Sequence, residues 1–197
     1  MQGAPRLKLV AIAAAGMDND DVEEARRLGI DVHNAPDYGS ESVAEHAIAI
    51  LFALRRELLT YTTAAVDGRW QVSPHFCWSG PAIRHIGGTV FGVVGRGRIG
   101  EAVARFARGL GMRVLFTAKP GAVPRPDEVP LDILLSQCDA LCLHVPLTSE
   151  TKGLINERTL GPMKRDAVLI NTGQGALVNA SALTEALQQR GHCGRSD

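Results

Sequence analysis

Six residues, Gly95-Arg96-Gly97-Arg98-Ile99-Gly100, stand between the apolar run Val90-Phe91-Gly92-Val93-Val94 and an amphipathic stretch from Ile99 to Leu110. Glycines at this spacing, placed where a strand turns into a helix, suit a dinucleotide diphosphate. Gly95 permits the tight turn. Gly97 removes a side chain so that backbone can approach the diphosphate, and Gly100 lets helix and strand pack closely. The anion then meets backbone N–H groups and the positive end of the helix dipole. Arg96 and Arg98 lie close enough to the loop to add charge at the diphosphate, whereas Arg105 and Arg108 fall on the solvated face of the helix.

The cofactor is then read at the end of the next strand, Arg113 to Thr117. An acid there, about 20 residues past the loop, binds the ribose 2′-hydroxyl of NAD. This chain has Ala118 followed by Lys119. Ala118 does not repel a 2′-phosphate and Lys119 can pair with one, so NAD(P) is expected, with NADP tolerated or mildly preferred. Lys119 is equally read as a stem that snorkels into solvent.

Other candidates carry less. Cys138, Cys142 and His144 fall close together, but Ala140 to Leu143 reads as a buried strand and zinc sites show tighter paired spacings. Cys142 is therefore read as a small core residue, and no metal is expected. His46 reads as an interface packing residue, His33 as a strand end, and Asp139 and Glu150 as solvated loop carboxylates.

The elements around these residues alternate. Lys8 to Ala13 reads as a strand, Asp20 to Leu28 as a helix stopped by Gly29, and Ile30 to His33 as a second strand. Ser42 opens a long helix with Glu45 as its capping-box partner. That helix is nearly apolar through Ala53, so burial between two larger bodies is expected. Residues 68–86 form an irregular connector with aromatic anchors. Strands over Thr89–Val94, Arg113–Thr117, Ala140–Leu143 and Ala167–Asn171 then alternate with helices over Ile99–Leu110, Leu131–Gln137, Thr159–Met163 and Asn179–Arg190. Gly121 to Pro130 reads as a Pro-rich loop. Continuous apolar strands between helices predict an α/β fold, a Rossmann doubly wound parallel sheet covered on both faces.

Composition limits the partners. Lys+Arg and Asp+Glu balance at 21 each, and 45% of the 197 residues are hydrophobic. Neither nucleic acid nor a membrane is expected from this balance. The N-terminus lacks the apolar core of a signal peptide, so a cytoplasmic protein is expected.

Four segments resemble the D-isomer-specific 2-hydroxyacid dehydrogenases in order and spacing. They are Ser42-Val43-Ala44-Glu45-His46, Val94 to Gly100, Leu143-His144-Val145-Pro146-Leu147-Thr148, and Ile170-Asn171-Thr172-Gly173-Gln174-Gly175. The connector from Trp70 to Trp78 looks most like the glycerate dehydrogenase (hydroxypyruvate reductase) branch. The resemblance runs from Arg6 to Arg190. It implies a partial flavodoxin-like substrate domain at 1–41, an inter-domain crossing helix at 42–66, a connector at 67–87 and a dinucleotide domain at 88–197, incomplete at its end. It implies that Ala15 and Gly16 hold the substrate carboxylate. His144, Val145 and Pro146 would line the cofactor beside the nicotinamide, with Thr172 and Gly173 close to it. A homodimer, or aggregation through the crossing helix, is also implied.

Two departures from the family pattern matter. Gln174 occupies the position of the arginine that holds the substrate carboxylate. Glutamine cannot make the bidentate ion pair, and losing such a charge costs about 2–5 kcal/mol. The chain also ends before the family's aspartate, glutamate and catalytic histidine, and His192 has neither the motif nor a carboxylate to replace them. It reads as a member cut at both ends. The implied activity is reduction of a small 2-keto acid of the hydroxypyruvate or glyoxylate class by hydride transfer from NAD(P)H. A catalytically dead dinucleotide-binding fragment and an NAD(H)-sensing scaffold are the competing readings.

Overall fold

The computed structural model describes residues 6–13, 16–17, 21–35, 39–119 and 121–191. The chain divides into two compact units, Met1–Ser42 and Val43–Asp197.

The first unit is a β-α-β segment. β1 (Leu9–Ile12) and β2 (Asp31–Asn34) run parallel, in register from Leu9 opposite Asp31 to Ile12 opposite Asn34. Between them lies α1 (Val22–Arg27), one residue past its cap Asp21, whose carboxylate accepts from the Glu24 amide at 2.9 Å. Glu23 and Glu24 then sit at the positive end of the helix. Gly29, with φ +69°, reverses the chain after the helix.

α2 (Ser40–Arg55) begins two residues earlier than the sequence suggests, so Ser42 is already helical and is not the cap. A capping box forms elsewhere, between Asn156 and Thr159. α2 buries Ala44, Ala47, Leu51 and Arg55, one stripe at helical spacing. Glu45, His46 and Ala49 are exposed in the single chain. The long helix also does not continue. Glu57 adopts a left-handed conformation, φ +52°, and α3 (Leu58–Val66) starts anew behind it.

The second unit contains one parallel sheet. Its strands are β3 (Val90–Val94), β4 (Arg113–Thr117), β5 (Glu128–Val129), β6 (Ala140–Leu143) and β7 (Val168–Asn171). Their order is β5-β4-β3-β6-β7, the Rossmann order in which the sheet grows in both directions from its first strand. β3 leads into α4 (Arg98–Gly109), while α5 (Leu131–Gln137), α6 (Glu157–Leu160) and α7 (Ala180–Gly191) follow β5, β6 and β7. One core joins Phe91, Val93 and Phe116 to α2 and α4; the other joins Leu115, Leu141 and Leu143 to α5. This two-sided burial is why the strands read as unbroken apolar runs.

β5 lies inside what reads as a Pro-rich loop. Two residues flanked by Pro126 and Pro130 carry no strand periodicity. They join the sheet because the Phe116 and Ala118 amides donate to Asp127 and Val129 carbonyls, each at 2.8 Å.

Candidate dinucleotide-binding site

The sheet's growth reverses between β3 and β6, the switch point at whose carboxyl ends open α/β sheets bind ligands. The glycine loop leaves β3 at this point. Gly95 leaves β3 at φ +103°, and a Cβ there would stand 2.5 Å from the His144 carbonyl oxygen. A Cβ on Gly100 would stand 2.1 Å from the Gly95 carbonyl oxygen. Both glycines are therefore demanded by the chain's own packing. Gly97 differs: its φ is −89°, and an added Cβ would meet nothing within 4 Å. Gly97 also caps the twelve-residue α4 with no side-chain hydrogen bond. A bare helix N-terminus beside space that only a glycine leaves clear fits a diphosphate.

The other site residues converge from neighbouring strands. His144, Val145 and Pro146 follow β6, while Thr172 and Gly173 follow β7, with Leu143 opposite Asn171 in the ladder. The His144 amide donates to the Val94 carbonyl at 2.7 Å, which places it beside the loop. Pro146 is held by the Thr151 hydroxyl, which donates to its carbonyl at 2.7 Å. Asn171 shapes the next turn: Oδ1 accepts from the Gly173 amide at 3.1 Å, and Nδ2 donates to the Gln174 carbonyl at 3.0 Å. Thr172 Oγ1 is buried and has no partner among the described residues, so it has capacity to bond a ligand. Ala118 follows β4 and is half-buried, and Lys119 after it is exposed. Gly16 lies in the first unit and is exposed. Ala15, like His192, lies outside the described residues.

Sequence reasoning did not single out Asn171, and it left the pairing of Cys142 unseen. Cys142 Sγ lies 3.0 Å from His144 Nε2. Burial raises the Cys142 thiol to about 12 and lowers His144 to about 4. Both side chains are neutral near pH 7. Among the described residues, no group of three or more His, Cys, Asp and Glu could hold a metal.

Arg96 takes a different place from the one its sequence position suggests. Its Nε donates to Glu101 Oε1 at 2.6 Å, and its Nη1 reaches Asp127 Oδ1 at 2.7 Å and Glu128 Oε1 at 3.2 Å. The guanidinium carbon lies 4.3 Å from the centre of the Phe116 ring. Arg108 Nη2 joins Asp127 from the other side at 3.0 Å. Three carboxylates and an aromatic face hold the Arg96 guanidinium against β5. Asp139 is likewise no solvated loop residue. Its carboxylate accepts from the Val90 amide and from Lys164 Nζ, each at 2.8 Å. Burial opposes its charge, but Lys164, the Val90 amide and Arg55 hold its pKa below the ordinary value.

Hydrogen bonding to Arg96 likewise holds Asp127 below the usual carboxylate range, against the cost of burial. A depressed carboxyl stabilises the fold above its unfolded value of about 3.9, and that stability is lost as pH falls through the folded value. Arg96→Ala is therefore expected to cost about 1–2 kcal/mol at pH 7. It should also flatten the fall in melting temperature below about pH 4. Thermal melts across pH check this, and parallel curves for both proteins would refute it.

The comparisons with known proteins agree with this geometry. Residues 48–194 match the family described as D-isomer specific 2-hydroxyacid dehydrogenase, NAD binding domain. The chain belongs to the D-isomer-specific 2-hydroxyacid dehydrogenases. It is 41% identical over 184 residues to a glycerate dehydrogenase of Methylorubrum extorquens, covering 93% of this chain and 58% of that one. It is 40% identical over 199 residues to a glyoxylate reductase of Korarchaeum cryptofilum, covering 95% and 58%. D-lactate dehydrogenase from Aquifex aeolicus, solved with NAD and lactic acid, is 35% identical with TM-score 0.82, covering 94% and 55%. The chain thus spans less than 60% of the length of each of these relatives. No helix among the described residues is long and apolar enough to cross a membrane.

Proposed function

We propose that this chain binds NAD(P) at the carboxyl ends of β3, β4, β6 and β7, and serves hydride exchange with a small 2-keto acid of the hydroxypyruvate or glyoxylate class. The observation that carries the reading is the clear space at Gly97 beside the uncapped start of α4. The relatives named glycerate dehydrogenase and glyoxylate reductase support the substrate class. Ala118 in place of an acid supports acceptance of NADP. The nicotinamide supplies the hydride when bound. On this reading the loop amides hold the diphosphate, and His144 to Pro146 with Thr172 and Gly173 flank the nicotinamide. In the first unit, Ala15 and Gly16 hold the substrate carboxylate. The reading places the protein in the cytoplasm, where a thiol such as the exposed Cys77 stays reduced.

Gln174 favours a second reading, binding without turnover. It donates hydrogen bonds but carries no charge for a substrate carboxylate. Titration with NADPH and NADH by fluorescence, paired with oxidation of NADPH by hydroxypyruvate, separates the two. Binding with no turnover leaves the second reading standing. Absence of binding removes both. Gln174→Arg is expected to raise any measured turnover by at least about 30-fold if the carboxylate docks there.

Self-association is part of the same proposal. The large exposed apolar side chains gather on α3 and the connector rather than on α2. Leu59, Val66, Val72 and Phe76 are largely open to solvent, and Leu54 alone among the large apolar residues of α2 is exposed. Tyr61 holds the connector by edge-on contacts to Trp70 and Trp78, with ring centres 6.2 Å and 5.3 Å apart. An apolar patch of this kind favours association with a second copy. Light scattering at high concentration is expected to give a dimer or larger species, shifted toward monomer by Phe76→Asp with Val72→Asp. A monomer at all concentrations would refute it.

A further inference from the structure

We propose that Cys142 is a positioning residue for the dinucleotide site, its thiol donating a hydrogen bond to His144 Nε2 and thereby fixing that ring in one tautomer beside the phosphate loop. The effect on binding rests on the dinucleotide reading above; the tautomer does not.

The pairing follows from strand geometry. Side chains two residues apart on a strand leave the same face of the sheet. Cys142 is in β6 and His144 follows its last residue, Leu143. Cys142 is fully buried, with Val93 of β3 and Ile170 of β7 as its partners on the two flanking strands. Its sulfur therefore has apolar neighbours on two sides and the imidazole at 3.0 Å. A neutral imidazole offers one bare nitrogen, a better acceptor than a thiol sulfur. Nε2 accepts, and the ring proton resides on Nδ1.

The position of the His144 backbone gives this bond a consequence. The His144 backbone carbonyl lies against Gly95, closely enough to exclude a Cβ there. Its amide is tied to Val94. The backbone of His144 is thus fixed by the phosphate loop, while its side chain is fixed by Cys142. A purely packing cysteine would be replaced by alanine or serine with the same effect on the ring. A donating cysteine is replaced by serine alone, because a hydroxyl supplies the same proton.

The test compares the unaltered chain with Cys142→Ser and Cys142→Ala. Long-range proton–nitrogen correlation reads the tautomer, with His144→Gln used to assign the signals. Fluorescence titration with NADH reads binding, and thermal melts confirm that each variant is folded. The unaltered chain and Cys142→Ser are expected to hold the proton on Nδ1 and to bind NADH within about twofold of each other. Cys142→Ala is expected to mix the two tautomers and to weaken NADH about three- to tenfold. A proton on Nε2 in the unaltered chain would overturn the proposal. So would a Cys142→Ala variant that keeps the Nδ1 tautomer, or equal loss of affinity in both variants. If the unaltered chain binds no NADH, the dinucleotide reading fails, and the tautomers still decide the role of Cys142.

Discussion

Gly97→Ala is expected to leave the melting temperature unchanged or slightly raised, and to weaken NADH and NADPH by at least about tenfold. The first half follows from the space around the residue. An added methyl meets no atom within 4 Å, and φ of −89° suits alanine. Replacing glycine where the backbone is already compatible stabilises by about 0.4–1 kcal/mol, because the unfolded chain loses freedom. The second half follows from what the space is for. A methyl at the start of α4 holds the diphosphate away from the first-turn amides, and each charge-assisted hydrogen bond lost is worth about 1.5–3 kcal/mol. That is roughly 10- to 150-fold in affinity. Gly100→Ala gives the contrast. Its methyl would meet the Gly95 carbonyl oxygen at 2.1 Å, a backbone atom that no rotamer change can move. Overpacking of this kind costs about 1–3 kcal/mol, so stability and binding fall together. Melting curves and fluorescence titrations on both variants check the pair. Normal binding by Gly97→Ala would remove the diphosphate from this loop.

Arg55→Met is expected to destabilise the second unit by about 3 kcal/mol, the low end of the cost of breaking a buried charged contact. Arg55 is only 4% exposed. Nη2 donates to the His85 carbonyl at 2.8 Å and Nη1 to the Asp139 carbonyl at 3.5 Å. The end of α2 is thereby joined to the segment entering β3 and to the start of β6. Methionine keeps the apolar stem and removes these donors, leaving Lys164 as the cation on Asp139. A loss of that size lowers the melting temperature by roughly 6–12 °C in a chain of this length. The contact is not ideal, since Arg55 Nε has no partner among the described residues. A melting temperature that rises in Arg55→Met would show that the buried charge costs more than its bonds return.

The two variants differ in how far each could be foreseen. The role of Gly97 is legible because spacing, the apolar strand before it and the amphipathic helix after it all lie within about twenty residues. Arg55 reads in sequence as the basic end of a helix. Its partners lie 30 and 84 residues away, and no local pattern encodes them. Arg96 is the same case within the motif itself. Its position beside Gly95 suggests diphosphate, yet Asp127, 31 residues on, has taken its charge.

The sequence by itself determined most of the local elements and the order in which they alternate, though not β5 or the break at Glu57. Short apolar runs bounded by turn residues and alternating with helices fit buried strands in a doubly covered sheet, and the helices between them bury a stripe set by the 3.6-residue period. It also placed the glycine loop, because a sharp strand-to-helix turn restricts residue type within a few positions. The tertiary structure alone decided which side chains meet across the sheet. Strand order brings β5 beside β4 and β6 beside β3, so it gives Arg96 its carboxylates and carries Arg55 to the start of β6. Burial follows periodicity, which is local. Pairing of charges and donors follows topology, which is not.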